Sequence, residues 1–144
     1  MMKAQSTATF VCAAALIAAF WLYPAAGNES YDRAESFYAQ SRFDEAIAEL
    51  TDSLAYDPYD SRAYFLRANA YYNKADFTHA LEDLDAGLSL MPECAQAYYN
   101  RAVVYYSSQE YDRAWEDVLR ASSMGYVLDP IFIEQLKEDS GRER

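Results

Sequence analysis

Few side chains in this sequence could carry out chemistry, and they form no recognisable site. His79 is the only histidine, so a zinc site has no second imidazole to draw on. Cys94 has no basic neighbour that would activate its thiol, and we expect a small, partly buried packing residue rather than a free reactive thiol or a bridge between chains. The four glycines form no phosphate-binding loop. The sequence therefore predicts no enzyme, no metal site and no cofactor.

The charge of the chain narrows the kinds of partner that it can have. The formal net charge is -11, from 23 acidic and 12 basic residues, so the surface as a whole would repel nucleic acid. Glu82, Asp83 and Asp85 lie close together in one predicted helix, and we expect all three to face solvent. Nothing in the sequence places them in a cleft, where paired carboxylates could act as acid and base.

The composition predicts an all-α fold with room for one domain. The chain has 144 residues, of which 52% are hydrophobic, which is ample for a core and argues against wholesale disorder. Ala and Tyr carry much of this fraction, while β-branched residues are few and good helix formers are many. The fourteen tyrosines can line a half-buried surface and still form hydrogen bonds.

The first 27 residues have the layout of an export signal. Lys3 precedes an apolar run of 14 residues, 10–23, and Pro24 and small residues follow it. The layout predicts a signal peptide over residues 1–27, with cleavage after Gly27, and hence a periplasmic or secreted protein. The alternative is an uncleaved membrane anchor, although the run is shorter than the roughly 20 residues that span a bilayer comfortably.

Three segments of 34 residues repeat one another without gaps. The middle segment, 61–94, aligns with 27–60 upstream and with 95–128 downstream. Matching columns hold the same types of residue: Arg33, Arg67 and Arg101; Ala34, Ala68 and Ala102; Phe43, Phe77 and Tyr111; Ala46, Ala80 and Ala114. A self-similarity of this length is typical of a helical solenoid built from helix-turn-helix units.

Each repeat is predicted to contain two helices joined by a short turn. The predicted helices cover 28–40, 43–56, 62–74, 77–90, 96–107 and 111–123, and a seventh runs from Asp129-Pro130 to about 139. Asp60 or Ser61, Asp76 and Asp129 are expected to cap the helices that follow them. Gly87 is expected to mark a close contact between helices. The seventh helix is expected to cover the apolar face of the last repeat, and 140–144 is a polar tail.

These columns resemble the tetratricopeptide repeat family. The family signature is matched in the middle repeat by Tyr64, Ala68, Tyr71, Ala80, Leu84, Gly87 and Pro92. The first repeat departs from it at Ser30 and the third at Tyr126, which suits repeats at the ends of an array. The resemblance implies a right-handed superhelical solenoid of antiparallel helix pairs, with repeats at 28–60, 61–94 and 95–128 and a capping helix at 129–139.

The resemblance also implies a concave groove lined by the first helix of each repeat. The groove-facing columns hold two aromatic rows with amides between them: Tyr31, Phe65 and Tyr99; Tyr38, Tyr72 and Tyr106; Asn69 and Asn73. Such a groove favours a peptide held by apolar contacts and by hydrogen bonds to its backbone. Alternatively, the tyrosines only pack between repeats. The arginine column is interpreted as structural, with each head group meeting acids at the edge of the repeats.

Some members of the family hold a C-terminal carboxylate with basic residues at set groove columns. Those columns here hold Tyr31, Glu35, Leu66, Gln96 and Asn100, none of which is basic, so no carboxylate clamp is expected. The predicted function is an exported protein-interaction module, an adaptor or assembly factor, that acts as a monomer on a peptide or protein. It would meet a membrane only through an uncleaved N-terminal segment. The alternatives are a membrane-anchored subunit of an envelope complex and a self-assembling scaffold.

Overall fold

Residues 26–142 of the chain are described by a computed structural model. Over this range the chain forms seven α-helices and no strand, which confirms the predicted all-α fold. The helices are α1 (Ala26–Ala39), α2 (Phe43–Tyr56), α3 (Ser61–Asn73), α4 (Phe77–Leu90), α5 (Ala95–Ser107), α6 (Tyr111–Ser123) and α7 (Pro130–Ser140). Their bounds agree with the predicted ones to within about two residues. The predicted signal peptide lies outside the described residues, apart from positions 26 and 27.

Aspartate side chains set the starts of three helices. Each carboxylate accepts a hydrogen bond from a backbone N–H two or three residues ahead: Asp60 from Arg62 at 3.0 Å, Asp76 from His79 at 3.3 Å and Asp129 from Ile131 at 2.9 Å. Each cap satisfies an amide that the helix itself cannot pair. The predicted caps are confirmed, with Asp60 rather than Ser61 as the cap of α3.

The turn inside each repeat has the same backbone conformation in all three copies. Its middle residue is left-handed, with φ of 58° at Ser41, 58° at Ala75 and 63° at Gln109. The next amide donates to a carbonyl five residues earlier: Arg42 to Phe37, Asp76 to Tyr71 and Glu110 to Tyr105, at 2.8–3.0 Å. This pattern closes the end of the first helix, and the tight return makes the two helices of a repeat antiparallel.

Small residues at matching positions let the helices approach closely. The six column alanines Ala34, Ala46, Ala68, Ala80, Ala102 and Ala114 are all 1% exposed or less. Each repeat has its own apolar cluster, centred on Leu50, Leu84 or Val118, and each cluster includes residues from the helix that follows the repeat. In the last cluster those residues are Phe132 and Leu136 of α7, which confirms that α7 covers the end of the array.

An arginine from the first helix of a repeat reaches the second helix of the same repeat. Arg67 donates two hydrogen bonds to the Asp83 carboxylate, both of 2.7 Å. Arg101 forms the same paired contact with Asp117, at 2.7 and 2.8 Å. Donation to these carboxylates raises the pKa of Arg67 and of Arg101 above the usual value. Paired, charge-assisted bonds of this kind fix both distance and orientation.

The same arginines also contact the preceding repeat. Arg67 donates to the Thr51 hydroxyl at 3.1 Å, and Arg101 donates to the Asp85 carboxylate at 2.5 Å. Each guanidinium therefore joins three helices from two repeats. The arginine column is structural, as interpreted. However, the paired contacts of Arg67 and Arg101 are with buried carboxylates between the helices, and not with acids at the edge.

The prediction that Glu82, Asp83 and Asp85 all face solvent is wrong for Asp83. Its exposure is 6%, whereas Glu82 and Asp85 are exposed as expected. The reason is that Arg67, 16 residues earlier, supplies a partner between the helices. A buried carboxylate is tolerated only with such compensation.

Gly87 lies where α4 meets α3. A Cβ atom at this position would lie 2.4 Å from Cε1 of Phe65, well inside van der Waals contact. The missing side chain lets the phenyl ring settle against α4 and the apolar cluster of the second repeat. The predicted close helix contact at Gly87 is confirmed.

The paired arginine contact of the second repeat gives a first prediction. Asp83→Asn should lower the free energy of unfolding by roughly 3 kcal/mol, because it leaves the Arg67 charge without its partner between the helices. Urea unfolding followed by circular dichroism measures this. The matched control is Glu49→Gln, which breaks the contact of Arg33, a side chain that is 52% exposed; its unfolding midpoint should barely move. Equal losses in the two variants would contradict the account.

Gly87 gives a second prediction. Gly87→Ala should destabilise the fold by about 1–2 kcal/mol through overpacking, even though alanine favours an isolated helix by about 1 kcal/mol. Adding Phe65→Leu, which shortens the ring side chain, should recover most of the loss relative to Phe65→Leu alone. Thermal unfolding of the four chains measures the coupling. A stabilised Gly87→Ala chain would show that the close approach is absent.

Candidate functional site in the groove

The predicted groove contains a cavity between the second and third repeats. Its volume is about 320 Å³, and it lies between α3 and α5, with one side chain from α1 at its edge. The lining residues are Tyr38, Asn69, Tyr72, Asn73, Gln96, Asn100, Val103 and Val104. None of these side chains is charged, and four of the eight are amides. The cavity is therefore polar and electrically neutral.

Hydrogen bonds within and between repeats hold three of the four amides, Asn69, Asn73 and Asn100, in place. Asn73 Nδ2 donates to the Tyr38 hydroxyl at 3.1 Å and to the Asn69 carbonyl at 2.8 Å. Asn100 Nδ2 donates to Asn69 Oδ1 at 3.3 Å. The network links α1, α3 and α5 across the groove. Because these side chains are positioned before any ligand arrives, a ligand need not bear the entropy of ordering them.

Unused hydrogen-bonding capacity remains in the cavity. The Tyr38 oxygen accepts from Asn73, so its own proton is available to an incoming acceptor. The Gln96 side chain is exposed and its amide bonds to no other described residue. An amide offers both a donor and an acceptor, which matches the alternating N–H and C=O groups of a peptide backbone.

The structure brings four of the eight predicted groove residues together. Tyr38, Asn69, Tyr72 and Asn73 line the cavity, whereas Tyr31, Phe65, Tyr99 and Tyr106 do not. The Phe65 ring packs against Gly87. These four of the six predicted aromatic residues therefore serve packing at least as much as they form a groove wall.

The aromatic residues of the third repeat lie against the capping helix. Tyr99 and Tyr106 contact Phe132 in edge-to-face arrangements, with ring centroids 5.5 and 5.4 Å apart. The Tyr106 hydroxyl donates to Asp139 at 2.5 Å. This donation, with some desolvation, raises the pKa of Tyr106 to about 12. The capping helix thus occupies the position that a further repeat would take.

Tyr31 marks the other end of the groove. The guanidinium carbon of Arg62 lies 5.0 Å from the centre of its ring, a distance typical of a cation–π contact. Burial and the neighbouring Glu35 carboxylate raise the pKa of Tyr31 to about 12. Arg62 itself is paired with Asp60 at 2.8 Å, so its charge is already compensated.

Four lining residues were not among the predicted site residues. Gln96 and Asn100 entered the sequence argument only as columns that lack a basic residue, and Val103 was not singled out there. The 34-residue register could have placed Gln96 and Asn100 beside Asn69, since all three fall on first helices. Val104 is 2% exposed and forms the apolar floor, for which the sequence offers no separate signal.

The remaining chemical candidates do not form a second site. Among residues 26–142, no group of three or more His, Cys, Asp or Glu side chains could hold a metal ion. His79 is exposed, with its Nδ1 2.7 Å from Asp76 Oδ2. Cys94 is half-buried against the apolar cluster of the second repeat, as expected. None of the helices in this range has the length and apolar character needed to cross a bilayer.

Several solved structures share this architecture. The first repeat domain of Spaghetti (RPAP3), bound to the HSP90 peptide SRMEEVD, has a TM-score of 0.73 at 22% identity and covers 81% of this chain and 91% of its own. The TPR2B domain of yeast Sti1, in complex with an Hsp70 peptide, has a TM-score of 0.71 at 22% identity, with 82% and 98% covered. MamA from Desulfovibrio magneticus has a TM-score of 0.68 at 20% identity, with 74% and 60% covered. At these identities the likeness concerns the fold.

Comparison of the sequence with known proteins and family profiles concerns the family, whereas the solved structures concern only the fold. No curated protein matches the sequence significantly. A profile of the tetratricopeptide repeat matches twice, over residues 31–88 and 65–123. Together the two matches cover more than half of the chain and all three of the observed helix pairs. The chain belongs to the tetratricopeptide repeat family.

Proposed function

We propose that this protein is an interaction module that binds an extended peptide segment of a partner protein in its groove. The observation that carries the proposal is the neutral cavity between α3 and α5, in which four amide side chains converge. Amides recognise a peptide backbone through paired donors and acceptors, independently of the peptide's own side chains. The half-buried rings of Tyr38 and Tyr72 add apolar contact area at the edges.

The size and charge of the cavity define what kind of segment it takes. Its volume lies at the small end of the roughly 300–1,000 Å³ that is usual for ligand sites, which suits a few residues of an extended chain. The RPAP3 domain and the Sti1 domain were solved with peptides of HSP90 and Hsp70, which supports peptide binding as the class of activity. No lysine or arginine is among the lining residues described here. The segment is therefore internal, rather than a chain end whose carboxylate is clamped.

The cellular setting is part of the same proposal. The apolar run at 10–23, preceded by Lys3, supports export, with a role as an adaptor or assembly factor in the periplasm or outside the cell. Retention of the run would instead make the protein a membrane-anchored subunit. Both forms present the same groove to a partner.

Point variants at the cavity test the proposed binding. Peptides are first selected from an unbiased display library against the full chain, and their affinities are measured by calorimetry. Gln96→Ala should weaken binding about fivefold and Asn69→Ala about tenfold, since each hydrogen bond contributes about 1 kcal/mol. Gln135→Ala, an exposed amide on α7, is the matched control and should bind normally. If the selected peptides bind Asn69→Ala as tightly as the natural chain, the cavity is not the site.

The intact mass of the exported protein tests the setting. Cleavage after Gly27 predicts a chain that begins at Asn28. A mass that includes Met1–Gly27 would instead favour the anchored form, and a chain found wholly in the cytosol would contradict export.

A further inference from the structure

The large apolar side chains that remain exposed gather at one end of the helices. The connections between successive repeats, with the adjoining helix ends, carry Tyr56, Tyr59, Leu90, Met91, Met124 and Val127, and Ile131 stands at the start of α7 beside them. Of the eight large apolar residues exposed in the described part of the chain, only Leu119, inside α6, lies elsewhere. Single exposed apolar residues are ordinary on a protein surface, but their concentration at one place is typical of an interaction site. We call this set the apolar edge.

The opposite end of the same helices is polar. It is formed by the turns inside the repeats, at 40–42, 74–76 and 108–110, where Ala75 is the only apolar residue. Because the helices of each pair are antiparallel, the two sets of connections lie at opposite ends of the fold. The two ends of the fold therefore differ in polarity, and this difference recurs in each of the three repeats.

Exposure on the apolar edge is high where packing does not require the side chain. Val127 is 90% exposed, Tyr59 is 78% exposed and Ile131 is 69% exposed. None of the three belongs to the apolar clusters that hold the repeats together. Packing of the fold therefore does not require these three side chains to be apolar.

The chain also enters the fold at this edge. α1 begins at Ala26, at the same end of the solenoid as the starts of α3 and α5. Only positions 24 and 25 separate α1 from the apolar run at 10–23. Two residues of extended chain span at most about 7 Å, so a bilayer that held the run would lie beside the end of the solenoid at which α1 begins.

We propose that the apolar edge rests on the surface of a lipid bilayer in which the run at 10–23 is retained. Tyrosine rings suit the boundary between head groups and acyl chains, because one end of the ring is apolar and the other is polar. Val127, Ile131 and the methionines insert shallowly beside them. The proposal goes beyond peptide binding and does not depend on it. It concerns the membrane-anchored form and does not apply to a chain cleaved after Gly27.

The charges near the edge select the kind of lipid. Asp57, Glu93 and Asp129 lie in the same connections, and no lysine accompanies them. Arg62, at the start of α3, is neutralised by Asp60. Attraction is therefore apolar rather than electrostatic, and a surface of zwitterionic head groups is favoured over an anionic one.

Site-specific photo-crosslinking in a purified system tests the proposal. The full chain is made with benzoylphenylalanine in place of Val127, and a control chain carries it in place of Gln109, an exposed residue at the polar end. Both are reconstituted into vesicles of phosphatidylcholine, with or without phosphatidylglycerol, and are irradiated. Intact-mass measurement shows what is attached, and circular dichroism checks that both chains are folded.

The expected result is a mass increase of one phospholipid for the chain labelled at 127 and none for the chain labelled at 109. The yield at 127 should fall as phosphatidylglycerol is added. Equal adducts at the two positions, no adduct at 127, or failure of the folded chain to associate with vesicles would each overturn the proposal. Crosslinked dimers at 127 without lipid adducts would also overturn it, by assigning the edge to a second copy of the chain.

Discussion

The paired contacts of Arg67 and Arg101 with buried carboxylates are the interaction on which the arrangement of the repeats depends. Each guanidinium joins the two helices of its own repeat and also reaches the second helix of the repeat before. Small residues alone would allow the helices to approach, but apolar contact has no direction and would tolerate sliding. The planar fork of arginine meets a carboxylate in one geometry, so it fixes the register between repeats.

That register decides what faces the groove. Because the first helices stand at a fixed spacing, Asn69 of α3 and Asn100 of α5 come within 3.3 Å of one another, and Asn73 reaches Tyr38 in α1. The amide network is thus a consequence of the repeat spacing and not a separate structure. At the end of the array α7 covers Tyr99 and Tyr106, which leaves the middle of the groove as the place where side chains converge without a covering helix.

Much of the fold could be predicted because it repeats. A column that recurs every 34 residues carries the same structural information in three copies, so the positions of the six repeat helices followed from the register. The aspartate caps and α7 followed from local signals instead, namely an aspartate just before a helix and the Asp129-Pro130 pair. Exposure was harder to predict. Asp83 was expected at the surface because its neighbours in sequence are acidic, but its partner Arg67 lies 16 residues away and on another helix.

The candidate site shows the same limit. Columns show which helix face a residue occupies, but not how far its side chain extends into a groove. Phe65 lies on the groove column, yet its ring packs against α4, because Gly87 has no side chain to exclude it. Gln96 and Asn100 line the cavity from α5, opposite Asn69 of α3. This placement follows only when the columns of neighbouring repeats are compared, and not from either column alone. The exposed apolar edge was visible only once burial was known, since its residues look like core residues in the sequence.

The most direct test of peptide binding at the amide cavity is an NMR titration of the side-chain NH₂ groups with a library-selected peptide. The account predicts that the signals of Asn69, Asn73, Gln96 and Asn100 shift together as the peptide is added, while that of Gln135 stays in place. Saturable binding that leaves those four signals unchanged, and shifts others instead, would contradict it.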